Sequence, residues 1–248
     1  MSVDSTAPAI TAPPHVTTKI ERASPEALRA LGAYGSASIH EAQGRLGAVD
    51  AGIKPIDDSM HFAGSAFTVV CAPRDNLMLQ VAIHYARPGD VLIVAAAGME
   101  QAGTFGDVLG NAAKAKGISA VVTDSGVRDT AQLRALGLPV FSGSVCITGT
   151  VKETLGPINQ PVVFGGQLIH PGDAIVGDAD GVVVVERDRI ETVTELSRQR
   201  EEHEDRLIEQ YKAGGTTIDL CGLHEKLRAK GLTTDLDDED PEQGLGAA

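Results

Sequence analysis

The sequence predicts a layered α/β domain, and three observations lead there. Short β-branched runs alternate along the chain with segments of helical spacing. Pro-Gly and Asp-Gly turns stand directly before several of those runs. The composition, 42% hydrophobic and 22% charged over 248 residues, is that of a globular chain able to bury a core without staples.

Taken in order, residues 1–23 are rich in Ser, Thr, Pro and Ala and read as a disordered leader. Ser24-Pro25-Glu26 then sets a cap and a proline at a helix start, and Gly35-Ser36-Ala37-Ser38 leads into a second helical stretch, IHEAQGRL. AFTVVCA reads as a buried strand, and DNLMLQVAIHYA as a helix with Leu77, Val81 and Tyr85 on its apolar face. RPGDVLIVAAA is a turn feeding a strand, followed by the helix GDVLGNAAKAKG, the strand and loop ISAVVTDSG, and the helix RDTAQLRALG. LPVFSG, QPVVFGG, HPGDAIVG and DADGVVVV complete the strands. These segments make residues 24–186 the α/β domain. Residues 187–232 are charged and rich in helix formers, with Ile190, Val193 and Leu196 spaced to face a core and a last helix near 220–229. We expect these helices to pack on the domain or on a neighbouring subunit, and residues 233–248 to be an acidic disordered tail.

Composition also removes function classes. The formal charge is −13, and the chain stays acidic even without the six acids of DLDDEDPE. With no Lys/Arg run to offset it, that sign repels phosphate backbones, so no nucleic-acid partner is expected. No apolar stretch approaches the roughly 20 residues that span a bilayer, and no basic-then-apolar leader is present, so no membrane is expected and the cytoplasm is the expected compartment. Three widely spaced cysteines read as reduced thiols.

Two loops could carry chemistry. The first, Gly103-Thr104-Phe105-Gly106-Asp107-Val108-Leu109-Gly110, follows a strand and opens a helix, where backbone amides attract a carboxylate. The second, Thr123-Asp124-Ser125-Gly126-Val127-Arg128-Asp129, sits where a strand ends, the usual side for ligands in α/β proteins. Taken singly, Asp107 and Asp129 each read as helix caps. Together, Asp107, twenty intervening residues, Arg128 and Asp129 form a D-x20-R-D pattern with a cation and a hard oxygen ligand side by side. Asn76 in PRDN reads as a cap and His40 as a packed, hydrogen-bonded histidine. The remaining histidines lack zinc-ligand spacing.

With these motifs the chain, over about residues 24–232, resembles the class II 4-hydroxy-4-methyl-2-oxoglutarate / 4-carboxy-4-hydroxy-2-oxoadipate aldolases, a family related to the regulator of ribonuclease activity A. The resemblance also rests on GSASIHEAQGRLG, GTVKETLG and PGDAIVGDADGVVVV. It implies a layered β/β/α swivelling-type domain with additional C-terminal helices, assembled as a homotrimer or homohexamer. It implies Mg²⁺ or Mn²⁺ bound by Asp129, with Arg128 on the pyruvyl carbonyl oxygen. The amides around Gly106, Val108 and Leu109 would hold the pyruvyl carboxylate, and Asp107 would position a water. Lys152 falls where the family has a basic residue near the site, although a solvated surface lysine is an equal reading. Glu204 falls where a carboxylate comes in from a neighbouring subunit, with Glu201 and Glu202 close by in sequence.

The implied reaction is retro-aldol cleavage of a 4-hydroxy-2-oxo diacid, with pyruvate released and oxaloacetate decarboxylation as a side activity through the same enolate. Charge appears on the C2 oxygen as the C3–C4 bond parts, and a cation with fixed donors suits that oxygen. The alternatives are a non-catalytic regulator that binds a basic protein such as a ribonuclease, or a dedicated oxaloacetate decarboxylase. The relatives of the regulator type are shorter and lack the C-terminal helices that this chain has.

Overall fold

The computed structural model describes residues 15–98 and 101–233. Most of the proposed leader and tail lies outside the described residues. The chain divides into two compact units, Met1–Ser197 and Arg198–Ala248.

In the first unit, α1 (Pro25–Leu31) starts as expected: the Ser24 hydroxyl accepts from the Ala27 amide, with proline in the first turn. α2 (Ser36–Ala42) begins earlier than IHEAQGRL and stops before Gly44. Then come β1 (Lys54–Pro55), β2 (Phe62–Val70), α3 (Leu77–Tyr85), β3 (Asp90–Ala95), β4 (Gly103–Phe105), α4 (Asp107–Ala115), β5 (Ala120–Val127), α5 (Thr130–Leu136) and β6 (Val140–Val145). β7 (Val162–Phe164), β8 (Gln167–Ile169), β9 (Ala174–Gly177) and β10 (Val182–Val185) follow, then a 3-10 turn and α6 (Ile190–Lys212).

One eight-stranded mixed sheet runs β1-β6-β5-β3-β2-β9-β10, with β4 also paired to β5. Its centre is parallel: β2 to β3 (Phe67 opposite Leu92), β3 to β5 (Leu92 opposite Val121), and β5 to β6 (Val122 opposite Phe141). The central strands are mostly apolar and nearly all buried because they are covered on both faces, with polar residues such as Ser65, Thr68, Asp90 and Thr123 buried among them. β7 and β8 form a separate hairpin whose first strand packs on β2 and β3, while α3 packs on β2 and α4 on α5. The expected layered α/β class holds.

Four details differ from expectation. Gly103–Phe105 is a strand rather than a plain loop, because its backbone pairs with Gly126 and Val127 of β5. α3 buries Met78, Leu79, Ala82 and Ile83 and leaves Tyr85 exposed; apolar residues ring most of this helix, so spacing did not single out the inward side. In α6, Ile190 and Val193 join a core with Leu28, Leu31 and Ile39, but Ser197 takes the next inward position and Leu196 faces out. The first unit therefore runs past residue 186 into this helix.

The last departure is the end of the leader. Residues 15–23 form a strap: Val16 bridges Ile158, and the Arg22 guanidinium makes two bonds to Asp90, 2.6 Å and 2.9 Å, whose side chain is wholly buried. In the second unit, the remainder of α6 is followed by α7 (Thr217–Leu220), capped by Thr216, and α8 (His224–Ala229). The single helix expected at 220–229 is thus divided by a turn at Cys221 and Gly222, the latter with positive φ.

Candidate active site

Parallel strands deliver their C-terminal ends to one edge of the sheet, and the two glycine-containing loops meet there. β5 ends in Val127, and the Arg128 amide donates to the Phe105 carbonyl (2.9 Å), so Arg128 leaves the sheet directly beside the start of α4. Phe105 and Val127 are fully buried and fix that junction.

Asp129 is the turning point. Its backbone is left-handed (φ 54°, ψ 40°), a conformation Asp tolerates better than most residues. The carboxylate does not cap its own helix. It is turned back instead: Oδ2 accepts from the Asp107 amide at 3.3 Å and lies 3.4 Å from Arg128 Nε. Oδ1 has no hydrogen-bond partner among the described residues. A Cβ on Gly106 would come within 2.5 Å of Asp129 Oδ2 and 3.0 Å of Arg128 Cγ, so glycine is what lets the two loops close on each other. Gly103 has the same function on the other side, since a Cβ there would strike the Cys146 carbonyl and lie 3.2 Å from the Arg128 stem.

These groups border a cavity of about 160 Å³, lined by Gly103, Thr104, Gly106, Val108, Leu109 and Arg128 together with Asn76, Gly149, Thr150 and Lys152. The start of α4 forms part of its wall. Gly106, at the cap, has no side chain to satisfy the first-turn amides; Asp107 N is taken by Asp129, and those of Val108 and Leu109 are left for an anion, helped by the helix dipole. Asp107 opens that turn, and its carbonyl accepts from Asn111 Nδ2 (2.9 Å). Asn76 is not a side-chain cap as expected; its amide donates to the Thr104 carbonyl (3.0 Å) and braces the cavity wall. The capping function falls to Asp75, which accepts from Leu77 N with Oδ1 (2.8 Å) and from Glu153 N and Thr154 N with Oδ2 (2.8 and 2.7 Å). Burial alone would raise the Asp75 pKa, but these amides hold it below the usual carboxylate range.

The segment after β6 carries Gly149, Thr150 and Lys152 to the cavity. It is pinned by Gly103 N to Thr148 O (2.8 Å), Val151 N to Arg74 O (3.0 Å) and Asn76 N to Val151 O (3.1 Å). Cys146, at its start, has its thiol pKa lowered, first by the Thr148 hydroxyl contact and further by the positive charge of Arg74. Asp124, one strand turn earlier, accepts from Ala96 N and Gly98 N (2.7 and 3.0 Å), yet burial pushes its pKa up overall.

The structure thus brings together Gly106, Asp107, Val108, Leu109, Arg128, Asp129 and Lys152. Glu204 lies in α6 within the second unit, where it pairs with Arg200 at 2.6 Å. His40 is half-buried and hydrogen-bonded, with Nδ1 2.9 Å from the Leu46 carbonyl. Sequence reasoning gave Thr104 only as part of its loop and assigned no site role to Gly149 or Thr150, for which GTVKETLG was the signal. A more voluminous cavity, about 610 Å³, is elsewhere, at the opposite strand ends by α1. Its arginines are already paired, Arg22 with Asp90 and Arg29 with Glu26, and it lacks a convergent set of donors.

Residues 36–184 match a family model described as RraA-like: Aldolase/RraA. A protein of Halalkalibacterium halodurans named "Putative 4-hydroxy-4-methyl-2-oxoglutarate aldolase" is 38% identical over 149 residues, 60% of this chain and 71% of that one. Among solved structures, Streptomyces coelicolor RraAS2, described as an unusual member of the RNase ES inhibitor RraA protein family, superposes with a TM-score of 0.67 at 30% identity, covering 75% of this chain and 98% of that one. An uncharacterized protein from Pseudomonas syringae gives 0.73 at 26% identity, over 80% and 93%.

Proposed function

The chain belongs to the RraA-like family, and we propose that within it this protein is a divalent-metal-dependent lyase that cleaves 4-hydroxy-2-oxo diacids to pyruvate. One observation carries the reading: Asp129 is turned away from its own helix onto the Asp107 amide, with the Arg128 guanidinium alongside, next to a small cavity that Gly106 and Arg128 line. A carboxylate serving only as a cap would face Thr130 and the turn after it.

The residues present suit a largely hydrated Mg²⁺ or Mn²⁺. Asp129 offers one oxygen without a partner, and among the described residues no three His, Cys, Asp or Glu side chains gather to form an all-protein cage. Mg²⁺ sites of this kind take one or two carboxylates and fill the shell with water and substrate oxygens. When bound, such an ion would polarise the 2-oxo group and neutralise charge at its oxygen.

The residues of the chain account for the rest. The amides of Val108 and Leu109 receive the substrate C1 carboxylate at the helix start. Arg128, permanently charged, donates to the C2 oxygen as the C3–C4 electron pair moves into the enolate. The proton of the C4 hydroxyl leaves to a water held by the Asp107 carboxylate, the C4 carbon becomes a carbonyl, and C3 is reprotonated to give pyruvate. With a methyl group on C4 the second product is also pyruvate; with carboxymethyl it is oxaloacetate. Oxaloacetate would lose CO₂ through the same enolate. Glu204, supplied by a second copy of the chain in a trimer or hexamer, is proposed as an additional carboxylate near the C4 hydroxyl.

The test is pyruvate release from 4-hydroxy-4-methyl-2-oxoglutarate, coupled to lactate dehydrogenase, with Mg²⁺ and with excess EDTA. Activity that depends on the metal and collapses in Asp129→Ala is the expected result. Turnover indifferent to EDTA and to Asp129→Ala would overturn it.

A further inference from the structure

Arg74 stands out among the cations near the cavity because its backbone is left-handed (φ 57°), a conformation that costs an arginine what it would not cost a glycine. Strain kept in a loop beside a site is a reason to look for a task for the side chain. Arg74 is exposed, and no carboxylate pairs with it among the described residues, in a chain of net charge −13. Its position is set from two sides. The Arg74 carbonyl accepts from Val151 N, and Asp75 bridges Val151 in parallel register, so Arg74 flanks the stretch that presents Thr150 and Lys152 to the cavity. Its charge also reaches the Cys146 thiol, and the Cys146 carbonyl packs against Gly103 in the cavity wall.

The start of α4 with Arg128, and Asp129 beside them, already offers the means to bind a 2-oxo carboxylate. Arg74 and Lys152 are left over, neither paired among the described residues; Lys152 lines the cavity, and the Arg74 backbone is bonded to Val151 next to it. Asp75, the nearest buried acid, is saturated by three backbone amides rather than by either cation.

We propose that Arg74 is a specificity-determining residue that, with Lys152, selects substrates carrying a second carboxylate at the end remote from the 2-oxo group. This rests on the active-site reading above. A guanidinium matches a carboxylate in a two-point, charge-assisted contact that a monoacid cannot make. The same reading explains why an arginine is kept where the backbone favours glycine.

The test is calorimetric binding, in the presence of Mg²⁺, of 2-oxoglutarate and of 2-oxopentanoate, which matches it in length but lacks the second carboxylate. The full chain should prefer 2-oxoglutarate by about tenfold, the scale of one charge-assisted contact. Arg74→Gln should bring the two affinities within about threefold while leaving 2-oxopentanoate unchanged, and Arg74→Lys should restore part of the gap. Arg74→Gly should melt no lower than the parent while losing the same preference, which a purely structural arginine would not do. An undiminished preference in Arg74→Gln, or equal weakening of both acids, overturns the inference alone. If the parent chain binds neither acid, the active-site reading falls with it.

Discussion

Arg128 and Asp129 were legible as a pair before any coordinates, because D-x20-R-D joins two loops that an α/β fold brings to one sheet edge. What spacing alone left open was whether Asp129 caps its helix, and the left-handed backbone at that residue decides against it. Removing one donor to a developing oxyanion typically costs a factor of about 10²–10³ in kcat. Arg128→Ala should therefore lower kcat for pyruvate release by that range with little change in thermal stability, since its side chain is nearly half exposed. Gly106→Ala is a sharper probe. The added methyl would sit 2.5 Å from Asp129 Oδ2, so the variant should retain its circular dichroism spectrum while losing activity to a similar extent. A fully active Gly106→Ala would mean that the Asp129 carboxylate does not need its observed position. Arg74 was not legible at this scale: its interest comes from a φ angle, and nothing in PRDN announces one.

At the scale of elements, helices and central strands were readable because caps, turns and apolar runs are local signals. The segment from 146 to 160 was not, since it is held by bonds to residues far away in sequence. Asp75 is the main clasp, joining the start of α3 to Glu153 and Thr154 across 78 and 79 residues. Its folded pKa lies below the ordinary aspartate value of 3.8, so it contributes stability that is present above that pH and is lost as pH falls through the lower folded value. Asp75→Ala should cost about 2–3 kcal/mol at neutral pH, the usual range for hydrogen bonds to a charged group. The gap between parent and variant should narrow below about pH 3.8. Denaturant titrations at pH 7 and pH 3 check both halves of this expectation; a penalty of equal size at the two pH values would show that packing, not charge, holds the segment. The inward face of α3 was misread for a different reason. A helix apolar on most sides gives periodicity little to resolve, and only its partner strand β2 picks the face.

Over the whole molecule, the strap at residues 15–23 is the feature that composition hid. Ser, Thr and Pro made it read as a leader, yet backbone and side-chain bonds from residues 158–160 hold its first part, and an ion pair between residues 68 apart holds its end. Asp90 opens β3 and is wholly buried, accepting from Arg87 N as well as from Arg22. Breaking a buried pair by deleting one partner leaves a charge without compensation, a loss of about 3–5 kcal/mol. For a chain of this size each kcal/mol moves the melting temperature by roughly 2–4 °C, so Arg22→Ala should melt on the order of 10 °C lower. Arg22 meets the sheet at the opposite strand ends from the Arg128–Asp129 cavity, so kcat/KM at 25 °C should stay within about twofold of the parent chain. Adding Asp90→Asn to Arg22→Ala removes the orphaned charge and should recover part of the lost stability, because the amide can still accept from Arg87 N. If Arg22→Ala melts with the parent, the strap is an ornament of the surface; if it melts low and the double variant lower still, the pair contributes through packing of its stem rather than through charge. Partial recovery in the double variant is the outcome that identifies the ion pair as what fastens the N-terminal segment to the sheet.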